Sequence, residues 1–66
     1  MPYVNIQVTD EEVTKEQKQE IIARVTEIMS IILKKDPNLT HVVIQEIGLD
    51  NWGWKGKQVS EIRKEQ

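Results

Sequence analysis

Several residue types are scarce or missing in this chain, and each scarcity excludes a class of site. The sequence has no cysteine and one histidine among its 66 residues. Without cysteine, neither a disulfide framework nor a cysteine-based zinc site can support the fold. A metal site with a single histidine would need a cluster of carboxylates, and the sequence contains no such cluster. We therefore expect no bound metal.

An excess of basic residues is also missing. Nine Lys and Arg residues stand against eleven Asp and Glu residues, which gives a net charge of −2. A general nucleic-acid-binding domain carries a basic stripe, so we expect no nucleic-acid partner. No apolar run approaches the roughly 18 residues of a membrane span, and no signal-peptide pattern opens the sequence. We therefore predict a cytoplasmic protein with no membrane partner.

The length creates a problem of stability. Sixty-six residues allow a single domain over 1–66, and a chain of this size buries only about 60% of its unfolded surface. One such core contributes no more than roughly 3–5 kcal/mol without disulfides, metals or association. Because the first two supports are excluded or unexpected, self-association is the favoured one.

Two segments predict β-strands. Residues 3–9 alternate strictly between β-branched apolar side chains and polar or aromatic ones, which is typical of a half-buried strand. Residues 41–47 contain three consecutive apolar residues, Val-Val-Ile at 42–44. Such a run favours a strand covered on both faces.

A long amphipathic helix is predicted between these strands. Thr14 and Gln17 fit a capping box at its start. Apolar residues then recur at helical spacing over residues 21–33, and the helix ends before Pro37 because the residue preceding a proline avoids the helical conformation. Ile31 lies outside the apolar stripe and indicates contact with another subunit.

Strand, helix and strand form a βαβ unit of the α/β class, in which the two strands run parallel. Residues 49–57 contain both tryptophans and two glycines and predict a turn or short hairpin. Residues 59–66 are interpreted as a polar tail, with a brief strand over 58–60. Since one helix covers only one sheet face, the other face should pair with copies of the chain, and we predict an obligate homo-oligomer.

Chemically, the unusual feature is Met1-Pro2. Removal of the initiator methionine before a small residue would leave a prolyl amine at the start of a strand. A secondary amine is a competent general base once it is neutral, and burial or nearby cations favour the neutral form. Glu11 and Glu12 are a weaker candidate, a pair of acids for hydrolysis, and a solvated acidic loop is the simpler interpretation of them.

Four segments carry a family resemblance over most of the chain. They are Met-Pro-Tyr-Val-Asn-Ile-Gln-Val at 1–8, Thr-Lys-Glu-Gln-Lys-Gln-Glu at 14–20, His-Val-Val-Ile-Gln-Glu at 41–46 and Asn-Trp-Gly-Trp-Lys-Gly at 51–56. Their order and spacing resemble the 4-oxalocrotonate tautomerase family. The resemblance implies a βαβ subunit with a C-terminal β-hairpin, assembled as a hexamer (a trimer of dimers). It also implies cofactor-free keto–enol chemistry with Pro2 as the catalytic base.

The resemblance suggests substrate-binding residues as well. Trp52 falls where the family has its hairpin aromatic, and Trp54 replaces a nearby aliphatic residue. His41 falls at a family arginine that opens the second strand. A further family arginine belongs to the loop after the first strand, but here residues 9–13 contain none. His41, Trp52 and Trp54 are therefore the substrate-binding candidates, and the family's dicarboxylate substrate is not assumed.

The sequence is compatible with three functions. The first is an isomerase that tautomerises a small enolisable 2-oxo or 2-hydroxydienoate-type carboxylate, including a monocarboxylate such as an arylpyruvate. The second is a proline-dependent hydratase or dehalogenase acting on a small unsaturated acid. The third is a non-catalytic oligomeric binding module. Lys55 and Lys57 are candidate cations for a neighbouring subunit's site in the first two.

Overall fold

Within residues 2–64, which a computed structural model describes, the protein forms four strands and two helices. In chain order they are β1 (Tyr3–Thr9), α1 (Lys15–Leu33), β2 (His41–Ile47), β3 (Gly53–Trp54), β4 (Lys57–Gln58) and α2 (Val59–Lys64). Short 3-10 turns occupy Pro37–Leu39 and Leu49–Asn51. The two predicted strands over 3–9 and 41–47 are confirmed with the same bounds.

β1 and β2 form a parallel two-stranded sheet, as the βαβ pattern predicts. Tyr3 lies opposite His41 at one end of the sheet, and Thr9 lies opposite Ile47 at the other. Because the register is parallel, the amino ends of both strands lie at one end of the sheet, here called the amino edge. Their carboxyl ends lie at the opposite end, the carboxyl edge. This separation of ends decides where the candidate site residues lie.

Helix α1 begins with the predicted capping box. The Thr14 side-chain oxygen accepts a hydrogen bond from the Gln17 backbone N–H at 3.1 Å, and the Gln17 side-chain oxygen accepts one from the Thr14 N–H at 2.9 Å. Two N–H groups at the helix start are thereby satisfied. Lys18 of α1 forms an ion pair with Glu46 of β2, so this helix lies on the sheet face that carries Glu46.

The C-terminal hairpin is confirmed, whereas the prediction of a polar tail with a strand over 58–60 is wrong. β3 pairs with β4 in antiparallel register, but strand structure ends at Gln58 and residues 59–64 form helix α2. Val59 and Ile62 are three residues apart and so share one helix face, which turns inward. The rest of the predicted tail, residues 65–66, lies outside the described residues.

Little of the chain is buried when it stands alone. Within residues 2–64 only Val59, at 8% exposure, counts as a buried hydrophobic residue, whereas Ile32 is 67% exposed. Val42 and Ile44 of β2 are half-buried but Val43 is exposed, so a single chain covers one sheet face only. Further large apolar residues stay exposed along and after α1: Ile28, Ile31, Leu33 and Leu39.

The dimensions agree with this incomplete burial. The accessible surface is 5292 Å², against about 4,300 Å² for a compact monomer of this mass. The radius of gyration is 15.2 Å, against about 11 Å for a compact chain of this length. The surplus apolar surface favours the predicted self-association.

Candidate functional site

Pro2 and His41 lie together at the amino edge of the parallel sheet. Pro2 directly precedes β1, where its missing N–H costs no sheet hydrogen bond, and it is half-buried. Its carbonyl oxygen accepts a hydrogen bond from the backbone N–H of His41 at 3.0 Å. His41 opens β2 with an exposed side chain. The sheet register therefore fixes Pro2 beside His41.

Trp52 and Trp54 lie at the opposite edge, where the strands end. Trp52 is half-buried, and its carbonyl oxygen accepts a hydrogen bond from the Val59 N–H at 2.8 Å, which joins the hairpin to α2. Trp54 is 56% exposed, and the Lys55 ammonium lies 4.4 Å from the centre of its ring. That distance is within the range of a cation–π contact.

The hairpin turn that presents Trp54 has two consecutive residues with positive φ. Lys55 has φ 54° and Gly56 has φ 79°. Two such residues match the right-handed twist of a tight antiparallel hairpin. Gly56 adopts this conformation without strain, whereas Lys55 carries a side chain into it at some cost.

A cavity of about 530 Å³ lies at this carboxyl edge, a size typical of small-molecule sites. Its walls come from the end of β1, the hairpin region and α2: Val8, Thr9, Trp52, Trp54, Val59, Ile62 and Arg63. Most of these side chains are apolar or aromatic. Among residues 2–64, Arg63 is the one charged residue in this lining.

Sequence reasoning missed Arg63 because α2 was interpreted as a polar tail. The Arg63 guanidinium forms an ion pair with the Glu11 carboxylate, with 2.8 Å between Nη2 and Oε1. The other Glu11 oxygen accepts a hydrogen bond from the Thr9 hydroxyl. The available signal was the spacing of Val59, Ile62 and Arg63, which places all three on one face of a helix.

The four sequence-predicted residues thus form two pairs rather than one site within a chain. Pro2 and His41 precede or open their strands, whereas the tryptophans follow the strand ends. The seven residues of β1 separate the two edges by roughly 20 Å at about 3.3 Å per residue. One chain alone does not bring Pro2 to the cavity.

Neither a metal-binding cluster nor a membrane-spanning helix occurs in the described residues. Within residues 2–64 there is no group of three or more His, Cys, Asp or Glu residues that could hold a metal ion. None of the helices in this part of the chain is both long and apolar enough to cross a membrane.

Comparison with known proteins gives one consistent result. The family model described as "Tautomerase enzyme" matches residues 2–62. A probable tautomerase of Dickeya dadantii is 46% identical over 65 residues, covering 98% of this chain and 97% of its own. The crystal structure of DmpI from Helicobacter pylori is 33% identical with a TM-score of 0.89, covering 98% of this chain and all of that chain.

A more distant structural match repeats the fold. It is a heterohexameric 4-oxalocrotonate tautomerase from Chloroflexus aurantiacus, 21% identical with a TM-score of 0.86, covering 96% of this chain and all of that chain. At this identity the match supports the fold only.

Proposed function

The chain belongs to the 4-oxalocrotonate tautomerase family of tautomerase enzymes, and we propose that it interconverts keto and enol forms of a small carboxylate with Pro2 as general base. The observation that carries this function is the position of Pro2. It is half-buried at the start of β1, with its carbonyl group tied to β2. A nitrogen at such a position has a defined location, which proton transfer requires.

The chemistry needs no cofactor. After removal of Met1, the neutral Pro2 nitrogen takes the proton from the hydroxyl group of a dienol, and the oxygen's electrons form the carbonyl group. The displaced π electrons then take a proton at carbon, which the prolinium returns. A proline nitrogen is more basic than the usual α-amino group, whose reference pKa is near 8, and the burial of Pro2 against a partner subunit that we propose favours the neutral form that a base needs near neutral pH.

We propose that two subunits build each site. In the described residues β1 hydrogen-bonds only to β2, so the backbone along its other side is available to a further strand. If two copies of the chain pair along this side of β1 across a two-fold axis, their β1 strands must run antiparallel. The amino end of one β1 then lies beside the carboxyl end of the other, which brings Pro2 to the partner subunit's cavity. Joining through β2 instead would leave Pro2 far from either cavity.

The exposed apolar residues support a larger assembly. Ile28, Ile31, Ile32 and Leu33 form the exposed end of α1 and remain outside a sheet-edge contact. We propose that they are buried between dimers in a homohexamer built as a trimer of dimers.

The proposed substrate is a small enolisable 2-oxo or 2-hydroxydienoate-type acid. Trp52 and Trp54 supply an apolar, aromatic wall that excludes water and strengthens the charge interactions at the reacting atoms. His41 lies next to Pro2 and offers a hydrogen bond to the oxygen on which charge develops. The two aromatic walls favour a monocarboxylate with a flat apolar group, such as the enol of an arylpyruvate.

The test is the turnover of phenylenolpyruvate, followed by its ultraviolet absorbance. Mass spectrometry of the protein from cells should first show a chain that lacks Met1. Pro2→Ala should then lower kcat/KM by at least about 100-fold, the size of a general-base contribution. Pro37→Ala is the matched control, because it makes the same change at a proline that opens the 3-10 turn before β2 and is not part of the cavity lining. Unchanged turnover by Pro2→Ala, or a retained Met1, contradicts the proposed function.

A further inference from the structure

We propose that Arg63 binds the carboxylate of the substrate in the cavity between the hairpin and α2. This inference rests on the proposed function, since it assigns the anion-binding group of the same site. Within the described part of the chain, the cavity lining contains two tryptophans and one cation. A guanidinium beside aromatic walls suits a flat acid, because the rings hold the apolar part and the fork-shaped donor holds the carboxylate.

The fold holds Arg63 firmly at the cavity. Helix α2 is anchored by Val59, the one buried hydrophobic residue within 2–64, and by the hydrogen bond between the Val59 N–H and the Trp52 carbonyl group. Arg63 follows Val59 by four residues, so both project from the same helix face. The anchor that buries Val59 therefore directs Arg63 to the same cavity.

Glu11 positions the guanidinium without occupying all of it. The ion pair engages Nη2 of Arg63, whereas a guanidinium carries five N–H donors. The Arg63 side chain is 50% exposed, so the remaining donors are open to a ligand. Glu11 is itself held by the Thr9 hydroxyl, and Thr9 also lines the cavity.

The other cations of the described chain fit this role less well. Arg24, the other of the two arginines in the sequence, pairs with Glu20 one turn earlier on α1 and is not part of the cavity lining. Lys64 pairs with Glu61 and is not part of the cavity lining. Lys55 lies over the Trp54 ring and is not part of the lining either. Arg63 is thus the cation that the cavity presents.

Equilibrium binding tests this role without any proton transfer. The probes are cinnamate, a flat carboxylate with nothing to enolise, and cinnamamide, its uncharged analogue, each titrated by calorimetry into the mature oligomer. Arg63→Met should weaken cinnamate binding by at least about tenfold, the usual size of a hydrogen bond to a charged group. Cinnamamide binding should change by less than about twofold, since the amide carries no charge for the guanidinium to attract.

Lys64→Met is the matched control, because it removes a cation from the adjacent position of the same helix, and it should leave both ligands unaffected. Arg63→Gln is measured in parallel, because one of the two variants could fail to form the oligomer. Sedimentation velocity establishes whether each variant assembles. Equal cinnamate affinity in the wild type and either Arg63 variant overturns the inference, as does a wild type that does not bind cinnamate.

Pro2→Ala separates this inference from the proposed function. It should retain cinnamate affinity while losing turnover. If Pro2→Ala retains turnover while Arg63→Met weakens cinnamate binding, Pro2 is not the catalytic base and the anion site is supported. Lost turnover in Pro2→Ala with unchanged binding in Arg63→Met refutes the anion site alone.

Discussion

The carbonyl oxygen of Pro2 accepts a hydrogen bond from the backbone N–H of His41 at 3.0 Å. This bond belongs to the parallel ladder that pairs Tyr3 with His41, and it joins Pro2 to β2. The proposed catalytic nitrogen belongs to the same residue as that carbonyl group. Its position is therefore set by the backbone of His41, independently of the imidazole.

Two substitutions at His41 separate its backbone from its side chain. His41→Ala removes the imidazole and keeps the N–H, whereas His41→Pro removes both. Proline is tolerated at the first residue of a strand, and Thr40 already has ψ 127°, the conformation that a residue before proline prefers. We expect kcat for phenylenolpyruvate to be about tenfold lower in His41→Pro than in His41→Ala, because a displaced base loses its alignment.

Thermal unfolding of both His41 variants provides the control, since the comparison holds only if both are folded at the assay temperature. Equal kcat values in two folded variants would show that the hydrogen bond to Pro2 does not position the base.

A site shared between subunits predicts complementation. Pro2→Ala damages the base and Trp52→Ala damages the cavity wall, so each homo-oligomer should be nearly inactive. In a mixed dimer, one of the two sites combines the intact Pro2 of one chain with the intact cavity of the other. Refolding the two variants together at equal ratio should restore about one quarter of the wild-type activity.

The control for complementation is each variant refolded alone. Activity of the mixture no greater than the mean of the two parents would place Pro2 and the cavity within the same chain, or in contacts that the two-fold arrangement does not describe. Far-UV circular dichroism of Trp52→Ala establishes that its loss of activity is local.

The exposed end of α1 predicts an interface that a charge should disrupt. Ile31 is 59% exposed in the chain, and burying an isoleucine contributes about 2 kcal/mol per copy. Ile31→Glu should therefore shift the protein to smaller species in sedimentation velocity at micromolar concentration. Gln19→Glu adds the same charge at an exposed position of the same helix and should keep the wild-type assembly. A full-size Ile31→Glu oligomer would exclude this surface from the interface.

The sequence predicted the parts of the fold that depend on local patterns. The alternation over 3–9, the Val-Val-Ile run at 42–44 and the capping box of Thr14 and Gln17 each have a short-range physical cause, and each element is confirmed. Helix α2 was missed because six residues with two apolar positions give little periodicity. Val59 stabilises it through tertiary burial, which a local pattern does not express.

The candidate site was predictable only in part, for a related reason. Pro2 and the tryptophans stand out chemically along the chain, but their distance in space depends on which strand ends meet. The sequence did not indicate Arg63, because its position depends on helix α2 and because the family's arginines correspond to residues 9–13 and to His41. In the proposed arrangement a second copy completes the site, so the spacing of residues within one sequence does not show which of them meet.

We expect alanine substitutions at Gly56 and at Gly48 to change the stability of the protein in opposite directions. Gly56 has φ +79°, and a methyl group there would meet nothing within 4 Å. The cost of Gly56→Ala is thus backbone strain alone, about 1 kcal/mol. Gly48 has φ −56°, and its added methyl group would lie 3.9 Å from the Asn51 amide, an ordinary contact. Gly48→Ala should raise stability by about 0.4–1 kcal/mol, because it reduces the entropy of the unfolded chain.

Urea unfolding of the wild type and both variants, at one protein concentration, measures these changes in the free energy of unfolding. The sign difference is the decisive result, since both substitutions add the same methyl group and lose the same backbone freedom in the unfolded state. Because Gly56 follows Lys55 in the turn that presents Trp54, Gly56→Ala should also weaken cinnamate binding, whereas Gly48→Ala should not. Equal stability changes at both positions would mean that the turn relaxes out of the positive-φ conformation, and the orientation of Trp54 at the cavity would then not be fixed by the hairpin.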